Sequence, residues 1–377
     1  MQLSQEDSLR LNVLLNQALQ AVRIDEGKMI VYGLTERGEA KIQLNPNCKD
    51  ELYIRRVKEM ISSHILGSPG GYPVFLKRWT RMGQQRANNL ESLLKLGEPE
   101  AVVAVVGAEG ITDEIARRAW WAMPNADNAR RMLARQEVAQ GVMGKLLAEF
   151  LLEFLPFEEE PRNMIESVRL VLQPGLIDDA TRESLWSKGQ RKNAYLVGFL
   201  HAAPDALPQA CVAYRDFANY QTTLSKLSEQ GNPLAQILLR ILSEQGQGFL
   251  QTIETVLSKP TNQDVVVALF EAIEAYFREI RPHNERRRDI KQILAEAKQF
   301  CAVSDSCRYK DEIDSIKSEL PEVMPLLESL FMLACVGEQL IAPIFATTDA
   351  VGSVMRRKIE PVTKPISQHV GFLLGQN

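Results

Sequence analysis

The sequence predicts a mainly α-helical protein, an irregular α-solenoid or helical-hairpin array that follows a small N-terminal α+β domain. Three observations predict this class. From residue 87 onward, short segments with helical apolar periodicity follow one another, with proline or glycine where helices prefer to begin or end. Between residues 21 and 44 the period changes to that of short strands. Short helices joined by short loops bury their apolar faces against sequence neighbours, which favours a stacked array.

The N-terminal region predicts one helix followed by three short strands. An apolar stripe at helical spacing follows Asp7 and Ser8, two residues able to cap a first turn. The runs AVRID, KMIVYGL and AKIQLN then alternate in polarity or are rich in β-branched residues, and segments 25–27 and 36–39 carry turn residues. These features predict a three-stranded antiparallel meander. The stripe of the first helix consists of Leu11, Leu14, Leu15, Ala18 and Val22.

Residues 50–66 return to helical periodicity, with Ile54, Val57, Ile61 and Ile65 on one face. Gly67 is well placed to end this helix, because glycine readily adopts the left-handed conformation found just past helix ends. The sequence therefore predicts a second helix that packs its apolar face on the meander.

Further helices are marked by their ends. Pro99 and Asn232-Pro233 are typical of helix starts, Thr112 of a cap, and Gly97 of a helix end. No fixed repeat period identifies a repeat family, although residues 98–123 resemble a HEAT-type hairpin. The longest helices are expected within residues 264–280 and 285–300. The last thirty residues contain Gly352, Pro361 and Pro365, and we expect them to be loosely packed.

These elements predict three domains. Residues 1–85 form the small α+β domain, residues 86–260 form a HEAT-like helical-repeat domain, and residues 261–377 form a C-terminal helical region with a loose tail.

Composition indicates an ordinary globular protein with no global attraction for polyanions. The formal net charge is -4, with 45% hydrophobic and 24% charged residues. We expect a cytoplasmic protein without membrane association, because no secretory signal or long apolar run is evident. The cysteines are odd in number and scattered, which is typical of a reducing compartment. They are Cys48, Cys211, Cys301, Cys307 and Cys335.

No motif predicts catalysis or metal binding. Cys301 and Cys307 are spaced too widely for a common zinc site. His201 and Asp205 match a bare HxxxD spacing that often occurs by chance. The three glutamates at 158–160 open a predicted helix, where they either bind a divalent cation or, as we favour, interact with the helix dipole. The sequence therefore predicts no catalytic residue, no metal and no cofactor.

Residues 64–86, HILGSPGGYPVFLKRWTRMGQQR, combine aromatic side chains with cations, and no acid lies between Glu59 and Glu91. Stacking aromatic rings and phosphate-neutralising cations are what single-stranded nucleic acid requires. Alternatively, the rings pack the linker between the sheet and the first array helices. A phosphate loop is not predicted, since SPGG lacks the required glycine spacing and lysine, and Pro69 removes a backbone donor. The candidate binding residues are Tyr72, Phe75, Lys77, Arg78, Trp79, Arg81 and Arg86.

Three further basic clusters are predicted to be solvated faces. On helices, such cations usually pair with acids three or four positions away. The clusters are Arg117, Arg118, Arg130, Arg131 and Arg135; Arg278, Arg281, Arg286, Arg287, Arg288 and Lys291; and Arg356, Arg357 and Lys358.

Several long blocks of sequence resemble one family. EDSLRLNVLL, LGSPGGYPVFLKRWTRMGQ, ARRAWWAMPNADNARRMLA, LLEFLPFEEEP and VRLVLQPGLIDDATRESLW are similar to blocks of the DsrS-type proteins, encoded within the dissimilatory sulfite reductase (dsr) gene clusters of sulfur-oxidising bacteria. The blocks cover about half of the chain, between residues 6 and 187. The resemblance implies a cytoplasmic accessory or regulatory protein of sulfur oxidation. It assigns no role to any residue.

Together these features predict a non-enzymatic helical scaffold that binds a protein partner, with RNA binding at the basic-aromatic linker as an alternative. A hypothesis from another class is an enzyme with a cleft between the N-terminal α+β domain and the helical domain.

Overall fold

The computed structural model describes residues 3–73, 87–281, 289–300 and 309–376. In these ranges the protein is mainly helical, with a three-stranded antiparallel sheet near the N-terminus, which confirms the predicted class at this level. The chain divides into two compact units, Met1–Pro156 and Phe157–Asn377. None of the described helices is both long enough and apolar enough to cross a bilayer.

The sheet of the N-terminal unit is the predicted meander. Its strands pair in the order β1-β2-β3, with Val22 opposite Gly33 and Val31 opposite Ile42. Gly33 is required where it lies, since a Cβ there would approach the Leu14 side chain to 2.8 Å. The first helix therefore packs closely over the middle strand. The strands are β1 (Leu19–Asp25), β2 (Ile30–Thr35) and β3 (Gly38–Gln43).

The first helix, α1 (Gln5–Leu15), is shorter than its apolar stripe predicted. Val22 belongs to β1, where it is buried beside an irregularity of the strand pairing between Leu19 and Ala21. The predicted cap is also wrong, because Ser4 caps the helix by accepting a hydrogen bond from the Asp7 N–H at 3.2 Å. Asp7 instead turns its side chain inward.

The second helix, α2 (Asp50–Leu66), has the predicted bounds, and Gly67 ends it in the left-handed conformation with φ 68°. Its buried face packs with α1 and the sheet into one apolar core. The core includes Leu11, Leu14, Val22, Val31, Ile42, Tyr53, Ile54, Val57 and Ile61.

Six more helices lie in the described part of the N-terminal unit, and α3 and α5 contact β1. The predicted helix-end signals hold, since Pro99 is the first residue of α4 and the Thr112 hydroxyl caps α5. The helices are α3 (Ala87–Leu94), α4 (Pro99–Gly107), α5 (Asp113–Ala122), α6 (Ala126–Leu133), α7 (Gln136–Ala139) and α8 (Val142–Phe154).

In its described residues the C-terminal unit consists of helices and connecting loops, without a strand. The Asn232 side chain caps a helix that begins at Pro233, as predicted. The helices are α9 (Pro161–Val171), α10 (Asp179–Gly189), α11 (Asn193–Ala202), α12 (Phe217–Glu229), α13 (Pro233–Leu242), α14 (Glu244–Ser258), α15 (Gln263–Tyr276), α16 (Ile290–Phe300), α17 (Lys310–Glu319), α18 (Met324–Ala334), α19 (Ala342–Phe345) and α20 (Gly352–Leu373).

The tail differs from its prediction. Residues expected to be loosely packed form α20, which has 22 residues and contains Pro361 and Pro365 within it. The helix packs on α14 and α18, and buried Gln247 donates a hydrogen bond to the Leu373 carbonyl at 3.2 Å. The sequence signal for this helix is an apolar stripe at helical spacing. It consists of Met355, Ile359, Val362, Ile366, Val370 and Leu373.

The predicted boundary between residues 85 and 86 falls outside the described residues, and the one between 260 and 261 falls between α14 and α15. The three-domain division stays a prediction.

Candidate functional site

The turn that opens the predicted linker is built by the ends of two helices. The Ser62 hydroxyl donates to the Ser68 carbonyl at 2.7 Å and accepts from the Gly71 N–H at 2.7 Å. The Tyr72 N–H donates to Glu98, one residue before α4, at 3.1 Å. These two backbone donors are already bonded to Ser62 and Glu98, which supports the interpretation of SPGG as a chain reversal after α2.

Tyr72 is the one predicted binding residue that the structure describes. It is half-buried, and burial raises the pKa of its hydroxyl. The other six lie outside the described residues, so their role stays a prediction. They are Phe75, Lys77, Arg78, Trp79, Arg81 and Arg86.

In the first additional basic cluster, Arg117 and Arg118 pair with acids, as expected. Arg117 holds Glu114 through two hydrogen bonds of 2.8 and 2.7 Å, and Arg118 reaches the same carboxylate at 2.9 Å. Arg118 also lies 3.5 Å from Glu91. Hydrogen bonds from Arg117, and then from Arg118, lower the pKa of Glu114 to about 2.

Glu114 gives the N-terminal unit a specific acid response. Because its folded pKa lies below the ordinary value of 4.5, its contribution to stability is complete above pH 4.5 and is lost as the pH falls toward about 2. Since the side chain is 49% exposed, we expect less than about 1 kcal/mol. A ¹³C NMR titration of the carboxyl carbons should give Glu114 a midpoint near 2. Glu114→Gln should reduce the loss of unfolding free energy as the pH falls from 4.5 toward 2. Glu137→Gln, at an exposed acid on α7, should leave that loss unchanged. A Glu114 midpoint near 4.5 would contradict the pairing with Arg117 and Arg118.

Several other residues of the basic clusters also have local partners. Arg130 pairs with Asp127, and Arg135 donates to the Gly107 carbonyl at 2.8 Å. Arg281 lies 2.7 Å from Glu274. In the last cluster, Arg356 donates to the Pro260 carbonyl and Lys358 to the Thr348 hydroxyl, at 3.3 and 2.6 Å. These contacts neutralise or anchor the cations locally.

His201 and Asp205 do not meet as a pair. The His201 Nε2 atom lies 2.8 Å from the Ala268 carbonyl oxygen, which can only accept, so this nitrogen carries the proton. Asp205 accepts two hydrogen bonds from Arg240, at 2.8 and 2.6 Å. The Arg240 guanidinium in turn stacks on Tyr276, 3.7 Å from the ring centroid. Each residue is thus committed to a separate structural contact.

A cavity of about 870 Å³ lies in the C-terminal unit, at the meeting of α9, α11 and α15. Gly198 allows α11 to approach α9, since a Cβ there would lie 2.7 Å from the Val168 side chain. The cavity was not predicted from the sequence. Its lining residues are Arg162, Asn163, Ile165, Glu166, Arg169, His201, Asp264, Val267, Ala268, Glu271 and Glu338.

Helical periodicity explains how α9 and α15 form the two walls. Arg162, Glu166 and Arg169 follow the i, i+4, i+7 spacing of one helix face, and Asp264 and Glu271 are seven residues apart on another. The same spacing is typical of a solvated surface, which is why the sequence did not distinguish these residues from an ordinary helix exterior.

His201 lines the cavity beside Ala268, in its neutral form. Burial lowers the pKa of His201, against the opposing influence of the Ala268 carbonyl and Glu271. With Nε2 donating to Ala268, the Nδ1 atom of the neutral ring is an acceptor. Arg169 and Glu166 form a two-bonded pair of 2.8 and 2.6 Å, which raises the pKa of Arg169.

Within the N-terminal unit, polar and aromatic side chains join the sheet to α5. Arg23 lies 4.6 Å from the centroid of the Tyr32 ring and 5.0 Å from that of Trp121. Glu39 accepts from the Trp121 indole N–H at 3.0 Å and from Arg23 at 3.3 Å. Gln20 accepts from Arg117 at 2.9 Å. This part of the contact between sheet and helices is packed.

The chain matches no protein-family model, no curated protein and no solved structure. Among the residues that the structure describes, no group of three or more histidine, cysteine or acidic side chains is arranged to hold a metal ion.

Proposed function

We propose that the protein is an accessory or regulatory protein of cytoplasmic sulfur oxidation, in which an irregular α-solenoid acts as a scaffold for a protein partner. The sequence blocks similar to DsrS-type proteins support the biological setting. The succession of helix pairs, such as α12 with α13 and α13 with α14, supports the scaffold.

The local pairing of charges favours a protein partner over a nucleic acid. Several described cations that would attract a polyanion are paired with acids or bound to carbonyl oxygens, as with Arg117 and Arg281. A surface of locally balanced charge has little long-range attraction for nucleic acid and suits protein recognition. His201 and Asp205 have structural partners, which supports binding rather than catalysis.

Affinity purification tests the scaffold function. The full chain, tagged and expressed in a sulfur-oxidising bacterium during growth on reduced sulfur, should recover a defined protein partner at constant stoichiometry. The complex should reform from the two purified proteins. Recovery of RNA alone, or no complex with any cytoplasmic sulfur-oxidation protein, would overturn the proposal.

RNA binding through the basic-aromatic linker is the second candidate, because its charges are not balanced by nearby acids in the sequence. Replacing Lys77, Arg78 and Arg81 with alanine should then reduce the affinity for single-stranded RNA. The slope of log affinity against log salt concentration should become shallower by about 2, because each of the three lost phosphate contacts contributes roughly 0.7. The matched control replaces the exposed Lys188, Arg191 and Lys192. Equal affinity and salt slope in both triple variants would exclude this function.

A further inference from the structure

The cavity between α9, α11 and α15 has the size of a small-molecule site. Its volume of about 870 Å³ lies within the range of roughly 300 to 1,000 Å³ that such sites occupy. Ile165, Val267 and Ala268 give it an apolar floor, while charged side chains line the rest. A ligand that fits this lining needs an aliphatic middle and polar ends.

The charges in the lining favour a cationic ligand. Arg169 and Glu166 neutralise one another through their two hydrogen bonds. The lining has two arginines and four acids, so with a neutral His201 its formal charge is -2. In a recess with an apolar floor, this excess attracts positive charge more strongly than it would on an open surface. The charged groups outside the Arg169 pair are Arg162, Asp264, Glu271 and Glu338.

The geometry of α15 fixes a spacing between two of the acids. Asp264 and Glu271 lie on one face, seven residues apart, which is about 10 Å at 1.5 Å per residue. Val267 and Ala268 occupy the same face between them. The His201 ring lies against this middle section, held by the Ala268 carbonyl at 2.8 Å. Two carboxylates therefore bracket an apolar strip that has a hydrogen-bond acceptor beside it.

We infer that this cavity binds an aliphatic polyamine, a chain of methylene groups whose ammonium groups are about 10 Å apart. One ammonium pairs with Asp264 and another with Glu271, while the methylene groups cover Val267 and Ala268. The His201 Nδ1 atom accepts an N–H of the amine. This ligand is independent of the protein partner proposed above, and neither inference requires the other.

Calorimetric titration of the full chain with spermidine tests the inference. Binding should have a 1:1 stoichiometry and weaken with added salt. Asp264→Asn and Glu271→Gln should each lower affinity about twofold to fivefold, and together roughly tenfold. Arg162→Ala should tighten binding, because it removes a repelling charge. Glu183→Gln, at an exposed acid on α10 outside the cavity, should change nothing.

A substitution that leaves the charge unchanged distinguishes spermidine binding in the cavity from general attraction of spermidine to an acidic surface. Ala268→Leu fills the floor and should abolish the 1:1 binding, with its helical circular dichroism serving as the folding control. If that variant does not fold, the spermidine affinity of the Asp264→Asn, Glu271→Gln double variant, compared with that of Glu183→Gln, tests the site. Multiple weak sites, or equal affinity in the double variant and the Glu183→Gln control, would overturn the inference.

Discussion

Gly246→Ala is expected to destabilise the C-terminal unit by about 3 kcal/mol or more. Gly246 lies in the first turn of α14, directly after the turn from α13, and a Cβ there would lie 2.2 Å from the Arg240 carbonyl oxygen and 2.4 Å from the Ile241 Cα. Both neighbours are backbone atoms, so no rotamer change relieves the overlap. The thermal midpoint of the unit should fall by roughly 10 °C, measured by calorimetry.

Gly248, two residues further along the same helix, provides the matched control. A Cβ at Gly248 would meet only the Cys211 sulfur, at an ordinary contact distance of 3.5 Å. Gly248→Ala should therefore leave stability unchanged or raise it by about 0.5 to 1 kcal/mol, through the better helix propensity of alanine. Equal midpoints in the two variants would show that α13 and α14 are not as close as described here.

Asp7→Ala should destabilise the N-terminal unit by about 3 kcal/mol. The Asp7 side chain is 0% exposed, and its Oδ2 atom accepts hydrogen bonds from the Tyr53 hydroxyl and, at 2.8 Å, from the Asn45 N–H. The carboxylate thereby ties α1 to α2 and to the segment after β3. Its removal takes this acceptor away from the Tyr53 hydroxyl, in the core, and from the Asn45 N–H. Chemical denaturation, combined with hydrogen exchange in peptides of this unit, measures the loss.

A double-mutant cycle with Tyr53→Phe isolates the shared hydrogen bond. Tyr53→Phe alone should cost about 1.5 to 3 kcal/mol, and the double variant should lose clearly less than the sum of the two. Burial, followed by the Asp7 contact, raises the pKa of Tyr53, consistent with a protonated hydroxyl donor. Glu6→Ala, at the exposed acid beside Asp7, should cost below about 1 kcal/mol. Additive losses in the cycle would contradict the bond.

The elements that the sequence predicts well are those whose apolar periodicity and end residues lie within the element itself. The bounds of α2 follow from an apolar stripe and from Gly67, both of which are local. The meander follows from alternation and turn residues. The cap of α1 was missed because Ser4, Asp7 and Ser8 are all capping residue types within one turn, and only the distant Tyr53 shows why Asp7 lies inside.

The cavity could not be predicted, because its walls are brought together only by tertiary packing. Arg169, His201 and Glu271 are far apart in sequence, and each has a pattern typical of an ordinary helix. The tail was mispredicted for another reason. Pro361 and Pro365 predict a break in the helix, because proline removes backbone hydrogen bonds. The buried apolar stripe around them is the stronger signal, since packing on α14 and α18 offsets that loss.

The position of α20 has a consequence for how the chain folds as it is synthesised. The N-terminal unit has its own compact set of contacts within residues 1–156, so it can fold while the ribosome is still translating the rest. In the C-terminal unit, α14 and α18 are translated before α20, the helix that packs on both of them. Until it arrives, their apolar faces are open to chaperones and to other nascent chains, which makes the second unit the one at risk of aggregation during biosynthesis.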